Sequence, residues 1–176
     1  MKFDYRADPI LGETLAYWQG KRSNRSMPSR RDIDPAEIPK LLPQLQLIEM
    51  IGERYRYRLV GTSLVQAFGK DYTGKHADEV SDAARAGAIS RIYRLVQEKR
   101  QPVFLRSSYV AGKNELIANR LYLPLSNDDR TVGMILGALT FEFLKPIAGE
   151  WGSAQLAFFE SQVEMVETRQ ALAPHR

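Results

Sequence analysis

The stretch TVGMILGALTFEFL, residues 131–144, constrains the fold more than any other part of the chain. As an extended strand it puts Val132, Met134 and Leu136 on one face and Ile135, Leu139, Phe141 and Phe143 on the other. A strand that is apolar on both faces needs cover on both sides, so its sheet must lie between two layers. Helices at the chain ends, or a second subunit, have to supply the second layer. The apolar run is too short to span a bilayer, which takes about 18 such residues or more.

A second segment has a different pattern. In RYRYRLV, residues 54–60, Tyr55, Tyr57 and Leu59 point one way and Arg54, Arg56 and Arg58 the other. This alternation predicts a half-buried strand, paired through Gly52-Glu53 with the strand of residues 45–51. Upstream, Asp8-Pro9 reads as an N-cap followed by proline in the first turn, and Ile10, Leu11, Thr14, Leu15 and Trp18 then share one helical face. Asp34-Pro35 repeats the signal for a short second helix carrying Ile38, Leu41 and Leu42 and ending at Pro43. Downstream, Thr62 or Ser63 opens a short helix ending near Phe68. Ser81 or Asp82 opens a long one over about residues 82–100, in which Ile89, Ile92, Tyr93 and Val96 share a face. Strands are predicted at 103–110 and 115–125, joined by the turn Ala111-Gly112-Lys113-Asn114. The segment 153–170 is predicted helical from the spacing of Leu156, Phe159, Val163 and Val166.

The order is therefore two strands, short helices, one long helix and three strands, with helices at both ends. The fold class is α+β. RYRLVGTSLVQAFGKDYTGK, at residues 56–75, together with PSRRDIDPAEIPKLLPQLQLIE, YLPLSNDD and MILGALTF, resembles the signature of a bacterial stand-alone subfamily of PAS domains. The resemblance covers about residues 10–145. It implies a five-stranded antiparallel sheet with helices inserted between strands 2 and 3, and a division into an N-terminal helical arm (1–44), a PAS core (45–145) and a C-terminal helical extension (146–176). The motif is carried by folding residues. Phe68 anchors a helix, Asp71 and Thr73 form a turn, and Gly69 and Gly74 accept unusual backbone angles.

The resemblance also implies a function, that of a sensory or protein-interaction module in signal transduction with no chemistry of its own. Its pocket lies between the sheet and the long helix. On this reading Tyr57 and Leu59 face the pocket from the second strand, Phe68 and Ile92 from the helices, Tyr109 from the third strand, and Asn119, Leu121 and Leu123 from the fourth. Either these residues line a ligand chamber or they fill a core; a buried Asn119 or Tyr109 needs a hydrogen-bond partner in both cases. PAS sheets commonly pair through their outer face, so a homodimer is expected, with a signalling protein as partner. The helix with Leu11, Leu15 and Trp18 covers that face in its own subunit or across the dimer.

Composition narrows the chemistry. The chain has no cysteine, which removes disulfides, zinc–thiolate sites, iron–sulfur clusters and cysteinyl–flavin adducts. Non-covalent flavin stays open, and no cofactor is assigned. Of the two histidines, His76 is the candidate haem ligand in the body, but it precedes the long helix instead of lying on it. No metal site is expected. The net charge of +4 resides in residues 1–31, with seven basic and three acidic residues; the other 145 residues hold 18 of each. A neutral body argues against a nucleic-acid groove. Arg30, Arg31 and Asp32 form either a surface ion-pair cluster or an anion site at Arg31. Arg54, Arg56 and Arg58 form either a solvated face or a docking strip for an acidic partner. No nucleophile, metal-protease or phosphate-loop motif is present, so an enzyme is not expected; the alternative is a small pocket enzyme of the α+β barrel type. With no apolar leader in MKFDYRADP, the expected address is the cytoplasm.

Overall fold

The computed structural model describes residues 2–111, 114–143 and 157–168. The Asp8 carboxylate accepts from the backbone N–H groups of Ile10 and Leu11, both at 2.9 Å, and opens α1, Pro9–Lys21. The second helix expected after Asp34-Pro35 is replaced by two single 3-10 turns, Pro35–Glu37 and Leu42–Gln44. Pro39 and Pro43 lack the N–H groups a continuous helix requires, and each disfavours α geometry in the residue before it.

The hairpin of β1 (Leu45–Ile51) and β2 (Arg54–Val60) follows, then α2 (Thr62–Phe68), α3 (Ala77–Val80) and α4 (Ala83–Lys99). The last is capped by the Asp82 carboxylate at the Arg85 N–H, 3.0 Å. Strands β3 (Val103–Ala111), β4 (Asn114–Leu125) and β5 (Met134–Phe143) complete the expected set. Residues 112–113 of the predicted 111–114 turn lie outside the described residues.

The C-terminal helix is corrected. Residues Ala157–Met165 form a sixth strand, β6, antiparallel to β3; residues 153–156, 169 and 170 of the predicted helix lie outside the described residues. The same stretch carries both a helical spacing and the two-residue alternation Gln162, Val163, Glu164, Met165. The edge of β3 favours the strand, because pairing there satisfies backbone groups that β4 leaves free. The sheet is six-stranded, in the order β2-β1-β5-β4-β3-β6, with every neighbouring pair antiparallel.

Both faces of the sheet are covered. On the outer face α1 buries Leu11, Leu15 and Trp18, and the Trp18 indole donates to the Pro124 carbonyl at 2.9 Å. Phe3 and Tyr5 stack on Phe104, with centroids 5.7 and 4.9 Å apart, and Lys2 pairs with Glu164 at 2.5 Å. The chain's own N-terminal segment thus supplies the outer layer. Between α1 and β1 the arm is fastened by Arg25, which pairs with Asp32 at 2.5 Å, and by Ser26 and Ser29, which donate to Asp129 and Asn127. Helix α4 covers the inner face. No helix among the described residues is long and apolar enough to cross a membrane.

Candidate functional site

Strand register decides which side chains face α4. Directly opposed residues share a face, so the inner set runs Tyr57, Ile48, Ile135 across β2, β1 and β5. It continues with Gly137 beside Tyr122, and with Leu139, Arg120 and Leu105 across β5, β4 and β3. Tyr55 and Tyr57 point inward and are buried, as their alternation with arginine predicts. Arg54 reaches Asp78 and Arg56 reaches Glu49, so the arginine strip of β2 is engaged by carboxylates of the same chain.

Leu59 breaks the pattern. The β1–β2 register shifts between Leu47 and Ile48, leaving Arg58 unopposed; Leu59 then pairs with Leu47 on the outer face and is 39% exposed. One extra residue in a bulge reverses the parity of everything beyond it. Leu59 therefore does not share the inner face with Tyr57.

Leu121, Leu123 and Asn119 are also on the opposite face from that expected. Leu121 opposes Phe104 and Leu123 opposes Leu136, in the layer beneath the N-terminal segment. Asn119 accepts from Arg106 at 2.6 Å and donates to Glu142 at 2.9 Å, and Arg106 holds Glu142 in a two-pronged pair at 2.6 and 3.1 Å. The residues of β4 that do face α4 are Leu116, Ala118, Arg120 and Tyr122.

What the inner face gathers is a set of phenols around a buried cation. The Tyr57 and Tyr93 hydroxyls lie 3.2 Å apart. Tyr93 also meets Tyr55 and Tyr122 edge-on at 5.1 Å, and Tyr72 meets Tyr57 at 4.6 Å. Two backbone bonds hold Tyr57 in place: its N–H donates to the Lys75 carbonyl at 2.9 Å, and its carbonyl accepts from the Gly74 N–H at 2.6 Å. Gly74 has φ +84°, a conformation that favours glycine. Phe68, at the end of α2, is half-buried and meets Tyr72, Tyr109 and Phe141 edge-on at 5.5–6.1 Å. Ile92 is buried on α4. Of the expected site residues, Tyr57, Tyr109, Phe68 and Ile92 lie on the α4 side of the sheet; Leu59, Asn119 and Leu121 do not.

Arg120 stands at the centre of this set and is 2% exposed. Its two terminal nitrogens donate to the hydroxyls of Ser107 and Tyr109. No carboxylate pairs with it among the described residues. Burial opposes its charge, but the surrounding tyrosines outweigh that effect and its pKa is raised, so it stays a cation. Arg85, on the first turn of α4, approaches the same Tyr109 ring: the two guanidinium carbons lie 5.1 Å (Arg120) and 5.8 Å (Arg85) from its centroid. Arg85 pairs with Asp82 at 3.1 Å, while its Nε is buried without an acceptor among the described residues. Sequence reasoning missed Arg120 because arginine in a strand ordinarily reaches solvent. The available signal was that a strand between two covered faces offers it no solvent side.

Burial pushes the Tyr57 phenol up to about 12 and drives Tyr72, Tyr93 and Tyr122 above their ordinary value of 10.0 as well. These phenols ionise more readily in the unfolded chain than in the folded one. Their contribution to stability is therefore complete below about pH 10 and is lost as pH rises from there through the folded-state values. Denaturant midpoints measured from pH 8 upward should fall beyond pH 10, and less steeply in Tyr93→Phe.

The model of the PAS domain family matches residues 7–140. No curated protein matches the chain.

Proposed function

The chain belongs to the PAS domain family, and from that premise we propose that it serves bacterial signal transduction as a cytoplasmic sensory module. It binds a small molecule on the inner face, passes the event to a signalling protein, and performs no chemistry of its own. The observation that carries this reading is the inner face itself. Hydroxyls, aromatic edges and a buried cation converge there under α4, where an inert core would need only aliphatic packing. The tyrosines at 57, 72, 93 and 122 are held protonated and Arg120 is held charged. None of the five accepts a proton at neutral pH, which favours binding over acid–base catalysis.

Output follows from how α4 is attached. Tyr93 touches Tyr55 and Tyr57 of β2 and Tyr122 of β4, bridging two separate strands of the inner face. A ligand that competes for the Tyr57–Tyr93 hydroxyl contact shifts α4 against the sheet and changes the surface offered to a partner, or to a second copy in a homodimer. Because α1 already covers the outer face within its own chain, this dimer would form without leaving that face bare in the free subunit.

Native mass spectrometry of freshly purified protein tests the proposal. The expected result is a small-molecule adduct lost on denaturation, accompanied by slower amide exchange in α4 when the adduct is present. Bare chain in every preparation, copurifying instead with a protein, would replace ligand sensing with pure protein interaction.

A further inference from the structure

The sensory reading leaves the ligand's chemistry open, and the charge balance of the inner face constrains it. Arg120 is a permanent cation, almost fully buried, and among the described residues its hydrogen-bond partners are both neutral hydroxyls. Removing a cation from water without a counter-charge is costly, and hydroxyl dipoles compensate only part of that cost. The tyrosines at 57, 72, 93 and 122 supply no negative charge, since burial raises all four. Arg85 adds an independent sign of an unfilled role. Its outer nitrogen is neutralised by Asp82, but its inner Nε is buried with nothing to donate to among the described residues. Both guanidinium groups approach one ring, that of Tyr109.

Resting on the sensory reading above, we infer that the inner face takes a small monocarboxylate with an apolar or aromatic body. Its carboxylate is gripped by Arg120 and reached by Arg85, and its body packs among Tyr72, Tyr109 and Phe68. The single charge follows from the count among the described residues: Asp82 already answers Arg85, so one positive charge, that of Arg120, is left to be matched. The carboxylate follows from the planar guanidinium fork, which it fits with two parallel hydrogen bonds. The apolar body follows from the ring edges at 5.5–6.1 Å around the half-buried Phe68, which form the least enclosed part of the aromatic set. This carboxylate group would also give the Arg85 Nε an acceptor.

The test uses the full chain and three probes, benzoate, phenylacetate and hexanoate, each beside its neutral alcohol, with inorganic phosphate as a separate arm. Calorimetry and thermal melting are read together. At least one carboxylate should bind saturably and raise the melting temperature, and its alcohol and phosphate should not. Arg120→Met should abolish the response. Arg120→Lys, which keeps the charge and loses the fork, should weaken it at least about tenfold. Arg85→Gln should weaken it less, and Arg58→Gln, on the exposed strip of β2, should leave it unchanged. Circular dichroism of Arg120→Lys verifies folding if Arg120→Met does not fold.

Three results would overturn the inference. One is equal binding of acid and alcohol, with Arg120→Lys unaffected; a neutral adduct in native mass spectra together with that result would keep the sensory reading and remove only the anion. Another is silence of all three carboxylates at millimolar concentration. The third is a phenolate absorption band in the folded protein at pH 7, because the chain would then supply its own counter-charge.

Discussion

Trp18→Ala lowers the unfolding free energy by about 3–5 kcal/mol, the range for deleting a fully buried large aromatic. The indole is 0% exposed between α1 and the outer face of the sheet, and its N–H is committed to the Pro124 carbonyl at 2.9 Å. Alanine leaves both a cavity and a buried carbonyl without that donor. Trp18→Phe separates the two losses: it keeps most of the packing, loses the bond, and should fall well short of the alanine effect. Urea titration of the three proteins gives the comparison. Equal stability of Trp18→Ala and wild type would mean that α1 is not the outer cover of the sheet.

Gly61→Val costs about 3 kcal/mol, the upper end for overpacking. A Cβ at this position would stand 2.3 Å from the Pro43 carbonyl oxygen and 2.4 Å from that of Leu42. Both obstacles are backbone, and the Gly61 N–H is itself bonded to the Leu45 carbonyl at 2.8 Å, so neither side can give way cheaply. Gly20, near the end of α1, is the contrast. A Cβ there meets nothing within 4 Å, and Gly20→Ala should raise stability by about 0.5 kcal/mol, since alanine loses less chain entropy in a helix. Equilibrium unfolding of both variants reads the opposite signs.

The same residues show what a sequence can and cannot reveal. The alternation of Tyr55 and Tyr57 with arginine located the inner face of β2, because one side of that strand is charged and the other is not. Two residues later the parity failed at Leu59. A bulge depends on the geometry of the partner strand, and RYRYRLV holds no trace of it. In β4 the alternation was uninformative from the start. Leu121 and Tyr122 are both buried, since that strand is covered on both sides, so hydrophobicity could not phase it. The phase expected from the sequence turns Asn119 and Leu121 inward, whereas the strand register turns Arg120 inward. The last segment failed for a third reason: helical and extended patterns coexist in residues 157–165, and the free edge of β3, a tertiary feature, selected between them. The cap at Asp8 and the long helix after Asp82 were legible because caps and helical spacing are local.

The anchoring of residues 2–5 beside β6 has a practical consequence for anyone shortening the chain. A fragment trimmed to the matched span, residues 7–140, deletes both rings that stack on Phe104 and the strand that closes β3. It would expose an aromatic side chain and a row of unpaired peptide groups together, an invitation to self-association. The boundary drawn by kinship falls inside the unit that packs, so protein for ligand screening should keep both flanks.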